Sequence, residues 1–442
     1  MYMHRLLTVA IALTCAAYAG AQTETPAVVM ISIDGFMPSR YTGNDSANIP
    51  RLRKLKDEGA WATGVVGVLP TVTYPSHTSL ITGVPPAVHG IYDNRILDPE
   101  GRSNTAWYWY ARQIQAPTLV GAARARGLRA GAVSWPVSVG LDAEYVVPEF
   151  WRSSHPESLI LLKAMSRPGD LLDAIEIAEG QPFGWPQNDR HRTTIATYLL
   201  RTRRPDLLMI HLIELDGAQH NNGPGTPEAT RTLEKIDGYI GEIVDAVAQA
   251  GMAGRTQIVI VSDHGFLPLE HMLQPNAALK QEGLLTVNDR GTVTDWKAYF
   301  HSSGGSGFVY LKDPADTATR DRVAKLLQTL KANPANGIRS VWTADDLAKM
   351  GAHPDAAFGL DVVNGFYTGF GHDGLVKPST SKGGHGFAPD RPELHASFIV
   401  SGPKVAKRGS LGVIRMTQIA PTLARLLEVG LSPKADQPLA IW

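Results

Sequence analysis

The apolar positions of this chain gather in short continuous runs. Val28–Ile33, Ala130–Trp135, Leu207–Leu215, Gln257–Ser262 and Ala396–Ser401 have almost no polar alternation. Runs of that kind predict parallel strands buried on both faces. Between them lie stretches with helical periodicity: Pro50–Gly59, Thr193–Thr202, Pro227–Gly251 and Thr417–Val429. The alternation predicts an α/β fold, with a mostly parallel central sheet sandwiched by helices. From Gly265 to Gly384 the pattern becomes mixed. "RGTVTDW", "SSGGSGFVYL" and a helical stretch near Asp321–Asn333 predict a small inserted subdomain, about residues 267–380. The glycines of "SSGGSG" lack the spacing of a phosphate-cradling loop and read as a turn before a strand.

The first residues follow a different rule. Arg5 precedes an apolar run that ends in small residues at Ala19-Gly20-Ala21. This predicts a secretory signal over residues 1–21 and a mature chain of 22–442, periplasmic or secreted. No later apolar run is long enough to span a bilayer. The single cysteine, Cys15, lies inside the signal, so the exported protein is expected to carry no disulfide. With 42 basic and 42 acidic residues, nothing indicates a nucleic-acid-binding surface.

Three of the apolar runs end on aspartate: "VVMISID" at Asp34, "LLMIHLIELD" at Asp216 and "QIVIVSD" at Asp263. A glycine follows each at once or after one residue. In open α/β sheets the ligand crevice lies beyond the carboxyl ends of the strands. Three carboxylates converging there would repel one another, and a cation relieves that repulsion. Histidines accompany the set, His220 four residues after Asp216, His264 beside Asp263, and His385 in "KGGHGF". A lone aspartate after a strand is usually a turn residue or helix cap, so the joint pattern carries the weight. His77 and His89 read as structural, bonded to backbone beside the site. Three Asp and three His without a thiol suit zinc, and less selectively manganese, iron or cobalt.

"LPTVTYPSHTSLITG", Leu69–Gly83, supplies a hydroxyl-rich loop without any Cys, Lys, Arg, Asp or Glu. A threonine hydroxyl is a poor nucleophile by itself. A divalent ion that lowers its pKa makes it usable near neutral pH, with no Ser/His/Asp relay.

Taken in order, "SIDGF", "PTVTYPSHTSLITGVPPAVHGIYDN", "ELDGAQHNNGP", "VSDHGF" and "GGHGF" resemble the nucleotide pyrophosphatase/phosphodiesterase family of the alkaline phosphatase superfamily. The likeness runs from about Val28 to Pro403. It implies an alkaline phosphatase-like catalytic domain over 22–442 with two divalent metal ions, most suitably Zn²⁺, acting on a small nucleotide or other phosphodiester substrate. Thr73 matches the nucleophile. Asp34, Asp263 and His264 match ligands of the metal that holds it, and Asp216, His220 and His385 match those of the second. Asn94 matches an amide donor to a phosphate oxygen, and Tyr74 an aromatic that stacks on a nucleobase. The implied reaction is double displacement through a phosphothreonine, with the metals about 4 Å apart. The chain departs from the family at Val72, often Lys; at Gln219, often Gly; and at "WPVS", Trp135–Ser138, usually W-P-G-S. It offers no counterpart of the cysteine-rich and nuclease-like appendages of the large animal members.

Within the superfamily the rival readings are a phosphomonoesterase, a phosphonoacetate-type hydrolase and a phospholipase-C-like enzyme. A sulfatase would need C/S-x-P-x-R, which is absent. A metal- or solute-binding protein without turnover would need neither Thr73 nor Asn94. The neutral residues near the nucleophile favour a singly charged diester, and Arg95 is expected to point to solvent or to a loop carbonyl.

Overall fold

In the computed structural model, which describes residues 25–43, 45–103, 107–150, 155 and 157–442, the apolar runs meet in one eight-stranded sheet. Its strands are β1 (Ala27–Ile33), β2 (Ala60–Trp61), β3 (Ala130–Val133), β4 (Tyr145–Val147), β5 (Leu207–Leu212), β6 (Thr256–Val261), β7 (Phe398–Ser401) and β8 (Gly409–Ser410). Across the sheet they stand in the order β8-β2-β7-β6-β1-β5-β3-β4. β1 pairs in parallel with β5 on one side and β6 on the other, and every residue of the three is buried. Alternating side chains separate to two cores. Val29, Ile31 and Ile33 face helices Pro50–Glu58, Asp189–Thr202 and Pro227–Gln249, while Val28 and Met30 face Leu119–Ala125 and Ile419–Leu426. The predicted signal and Cys15 lie outside the described residues.

Residues 267–384 build smaller sheets. Ala298–Ser302, Ser306–Leu311, Phe358–Val362 and Ile338–Thr343 form an antiparallel sheet, with helix Thr317–Ala332 nearby in the chain. A third core, including Phe300, Val309, Val323, Leu327 and Leu360, fills this part. Gly304 and Gly305 of "SSGGSG" form the turn between the first two of these strands, and Gly307 lies in the second.

Three expectations need correction. The run Leu207–Leu215 stops being strand at Leu212, and a helix, Glu214–Asn222, takes over. The carboxylate of Asp189 accepts from the Ile213 and Glu214 N–H groups at 2.9 and 3.0 Å, so a residue from another helix caps this one. Asp216 therefore sits in a first helical turn, with His220 one turn later on the same face. The last run begins at Phe398 and lies antiparallel to β6. Its chain arrives from His385, on the carboxyl side of the parallel strands, and so has to run back. The hydroxyl-rich segment is not a loop but a helix, Thr73–Thr82, every residue of which is buried. Thr78 and Thr82 donate to the carbonyls four residues earlier, and Ser79 to the Val84 carbonyl.

Candidate active site

Asp34 leaves the end of β1, and the chain turns at once through Gly35. That glycine has φ +69°, and a Cβ there would lie 2.6 Å from the Phe266 ring. Its N–H donates to Asp263 Oδ1 at 3.1 Å, which ties the β1 and β6 ends together. Asp263 and His264 follow β6 after Ser262. His264 Nε2 stands 3.2 Å from Asp263 Oδ2 and 3.4 Å from Asp34 Oδ1. These three residues form one trio with ligating atoms within 4.8 Å of one another.

Asp216, His220 and His385 form a second such trio. His220 and His385 present Nε2 to Asp216 Oδ1 at 3.3 and 3.6 Å. The trios adjoin, since the His264 and His385 rings stack 3.6 Å apart at 7°. His385 reaches this place because Gly386 (φ +84°) lets the chain pass the Ser303 carbonyl, which a Cβ would meet at 1.8 Å. Nδ1 of each histidine donates to a backbone carbonyl: His220 to Gly383, His385 to Thr71 and His264 to Gly265. Each Nε2 is thereby left as an acceptor aimed inward.

Asp34 Oδ1, Asp216 Oδ1, Asp263 Oδ2 and His264 Nε2 are buried without any hydrogen-bond partner. Acceptors face acceptors, an arrangement that costs energy unless a cation sits between them. The titration shifts agree. Burial and then the charges of Asp263 and Asp216 hold the Asp34 carboxyl well above its ordinary range. Burial also raises Asp263, and it lowers His264 and His385 to about 3. Among the three carboxyls only Asp216 goes down, to about 2; burial opposes this, but His220 and His385 prevail. Both trios of oxygen and imidazole donors fit a divalent ion.

Thr73 opens its helix after an extended Val72, at the end where unpaired N–H groups and the helix dipole favour an anion. His77, one turn along, donates from Nδ1 to the Thr73 carbonyl at 2.8 Å, and its Nε2 accepts from the Ser32 hydroxyl. The same ring lies 3.7 Å from Asp263, so helix Thr73–Thr82 is braced against the first trio. Asn94 Oδ1 accepts from the Tyr74 N–H at 2.8 Å, which leaves the amide hydrogens to donate elsewhere. Asp93 shapes this turn by accepting from the Asn94 and Arg95 N–H groups.

Tyr74 does not occupy the position expected of a base-stacking ring. It is 1% exposed and packs with Trp107 and Trp109, so neither of its faces is open. Val137, at the family's glycine position in "WPVS", has φ +58°, unusual for a β-branched residue. It is buried in the same cluster as Tyr74. Gln219 is buried and donates to the Gly35 carbonyl at 3.0 Å. Arg95 is exposed, as expected, and faces two aromatic rings. Its guanidinium lies 5.5 Å from the Trp107 ring and 5.6 Å from that of Phe370. It lines a cleft of about 480 Å³ with Tyr299, His301 and Phe370.

Two residues escaped sequence reasoning. His211 is the next-to-last residue of β5, and Glu149 follows β4. His211 Nδ1 stands 2.8 Å from Glu149 Oε2 and Nε2 3.1 Å from Asp34 Oδ2. Burial opposes a charge on His211, but the two carboxylates push its pKa up to about 10. One imidazole inside an otherwise apolar strand was the available signal, because such a group needs a buried partner.

The family model described as type I phosphodiesterase / nucleotide pyrophosphatase matches residues 28–357. The chain is 26% identical over 257 residues to human ectonucleotide pyrophosphatase/phosphodiesterase family member 1, a stretch covering 55% of this chain and 24% of that one. It is 24% identical over 258 residues to venom phosphodiesterase 2 of Crotalus adamanteus, again 55% of this chain and 27% of the other. The chain thus matches about a quarter of the length of these relatives. Among solved structures, human ectonucleotide pyrophosphatase/phosphodiesterase 5 superposes with a TM-score of 0.67 at 18% identity, covering 92% of this chain and 96% of that one. An inactive murine form of the same protein, in complex with AMP, gives 0.68 at 18%, covering 94% and 98%.

Proposed function

The chain belongs to the type I phosphodiesterase / nucleotide pyrophosphatase family, and from that premise we propose that it hydrolyses phosphodiester or phosphoanhydride bonds of nucleotides through a phosphothreonine on Thr73. One observation carries the reading. Two adjacent trios, each able to hold a cation, stand beside the N-terminus of a helix whose first residue is a threonine. Asp34, Asp263 and His264 would hold one divalent ion and Asp216, His220 and His385 the other, with zinc the best match to the donors. Such ions, when bound, lower the pKa of a coordinated hydroxyl or water and stabilise charge on phosphoryl oxygens.

The Thr73 oxygen attacks phosphorus in line and the leaving group departs; water then hydrolyses the phosphothreonine. Asn94 donates its amide hydrogens to a non-bridging oxygen, where charge grows in the transition state. The N-terminus of helix Thr73–Thr82 adds a fixed positive potential. His77 holds the first turn in place from behind. We take residues 22–442 as one catalytic unit with an insertion at about 267–380, exported to the periplasm or secreted. No helix of the described residues is long and apolar enough to cross a membrane.

A monoester brings about −1.5 to −2 charges and a diester a single one. Arg95, exposed in the cleft and in no ion pair among the described residues, is the observation on which a monoesterase reading would stand. The test compares kcat/KM for p-nitrophenyl phosphate with that for a p-nitrophenyl nucleotide ester, with metal content measured on the same sample. The nucleotide ester is expected to be the better substrate. A higher value on the monoester would overturn the diesterase assignment.

A further inference from the structure

We propose that Glu149 and His211 form a buried positioning pair that holds Asp34, and through it the first metal ion. The inference rests on the reading above in one respect, that Asp34 is a metal ligand. The geometry is specific. Both ring nitrogens of His211 face carboxylate oxygens, Glu149 Oε2 at 2.8 Å and Asp34 Oδ2 at 3.1 Å. Each ring nitrogen is thus engaged by a carboxyl group, and the ring bridges Glu149 to Asp34. All three residues are buried, with exposures of 0% for His211, 2% for Asp34 and 5% for Glu149.

The consequence for Asp34 is directional. Oδ2 is engaged from behind, and Oδ1 is left as the buried, unpartnered oxygen 3.4 Å from His264 Nε2. A carboxylate held by a single oxygen cannot rotate to chelate through both. It therefore presents one lone-pair-bearing atom to the ion. Orienting partners of this kind are worth about ten- to hundredfold in metal affinity.

Glu149 is the outer partner: it holds the His211 ring at Nδ1, as His211 holds Asp34 from Nε2. Both nitrogens of His211 are thus engaged. Its grouping with His77 and Asp263 within ligating distance is consequently not a third metal site. His77 is committed likewise, to the Thr73 carbonyl and the Ser32 hydroxyl.

The experiment uses the full chain stripped of metal and titrated with Co²⁺, whose visible spectrum reports ligand geometry, and with Zn²⁺ by calorimetry. Glu149→Gln keeps the size and one acceptor oxygen, and is expected to fold. It should weaken one of the two binding events about tenfold or more, change the Co²⁺ spectrum of that event, and leave the other within twofold. His211→Gln should do the same or worse, and Glu149→Asp should recover part of the loss. Reduced turnover in Glu149→Gln should return when the metal concentration is raised. Wild-type affinity and spectrum in a folded Glu149→Gln protein would overturn the proposal. So would equal weakening at both sites, which would signal general loosening. Thr73→Ala serves as the control that separates the two readings. If it retained turnover, the phosphothreonine reading would fail while the metal titrations still judged the pair.

Discussion

The floor of the site and its wall are built by opposite means. The floor consists of Asp34, Asp263 and His264 at the ends of central strands, His211 inside one, and Asp216, His220 and His385 on a short helix and a returning loop. These groups are buried or nearly so and tied by hydrogen bonds to carbonyls, N–H groups and each other. The wall consists of Arg95, Trp107, Tyr299, His301 and Phe370, drawn from the loop after His89 and from residues 299–370. It is held by ring contacts, and Arg95 and Phe370 are exposed. A central sheet packed on both faces places charges to within tenths of an ångström, which charge chemistry requires. A loop wall can change its residues without disturbing that placement. On the function proposed above, reaction and substrate choice would therefore be separable here.

The largest effect should come from the floor. Thr73→Ala is expected to cut turnover by about 10³-fold or more while both metals stay bound, since six other side chains hold them. Steady-state kinetics with metal analysis checks this, and a near wild-type rate would remove Thr73 from the mechanism. His385→Ala should come next, losing one metal per chain and about a hundredfold or more in activity. Two metals retained in that variant would show that another histidine completes the second site. At the wall, Arg95→Ala should raise KM by about tenfold, in line with the loss of a stacked cation facing an anionic substrate, and leave kcat and metal content unchanged. A fall in kcat with unchanged KM would erase the distinction between floor and wall.

The smallest effect concerns stability at the point where the wall loop leaves. His89 is fully buried, near the Ser79 hydroxyl, and accepts from the Ile91 N–H. Burial lowers its pKa to about 3 from the ordinary 6.5. The unfolded chain therefore binds a proton below pH 6.5 that the native chain does not. The stability this neutral ring contributes is complete above pH 6.5 and is lost as pH falls toward 3, by up to about 1.4 kcal/mol per pH unit. Urea denaturation at pH 7 and pH 5 should show a steeper loss for wild type than for His89→Asn. Equal losses would exclude His89 as a source of acid sensitivity.

The hydrophobic runs by themselves marked five of the eight strands of the buried sheet, because a strand covered on both faces leaves no room for polar side chains. They also determined where chemistry could sit, since Asp34 and Asp263 interrupt such runs where the backbone emerges. Local pattern could not decide where β5 ends. The cap on the next helix comes from Asp189, which is distant in sequence and adjacent only in space. Nor could it show that Tyr74 turns inward, because a ring beside a nucleophile reads the same whether Trp107 and Trp109 cover it or a ligand does. The imidazole of His211 was visible in the sequence, but its meaning was not. That required Glu149 and Asp34 to arrive on its two sides from separate parts of the chain. Periodicity reports which side chains avoid water, a property each residue carries alone. Partnership between charges depends on two positions at once, and only the folded chain brings them within hydrogen-bonding distance.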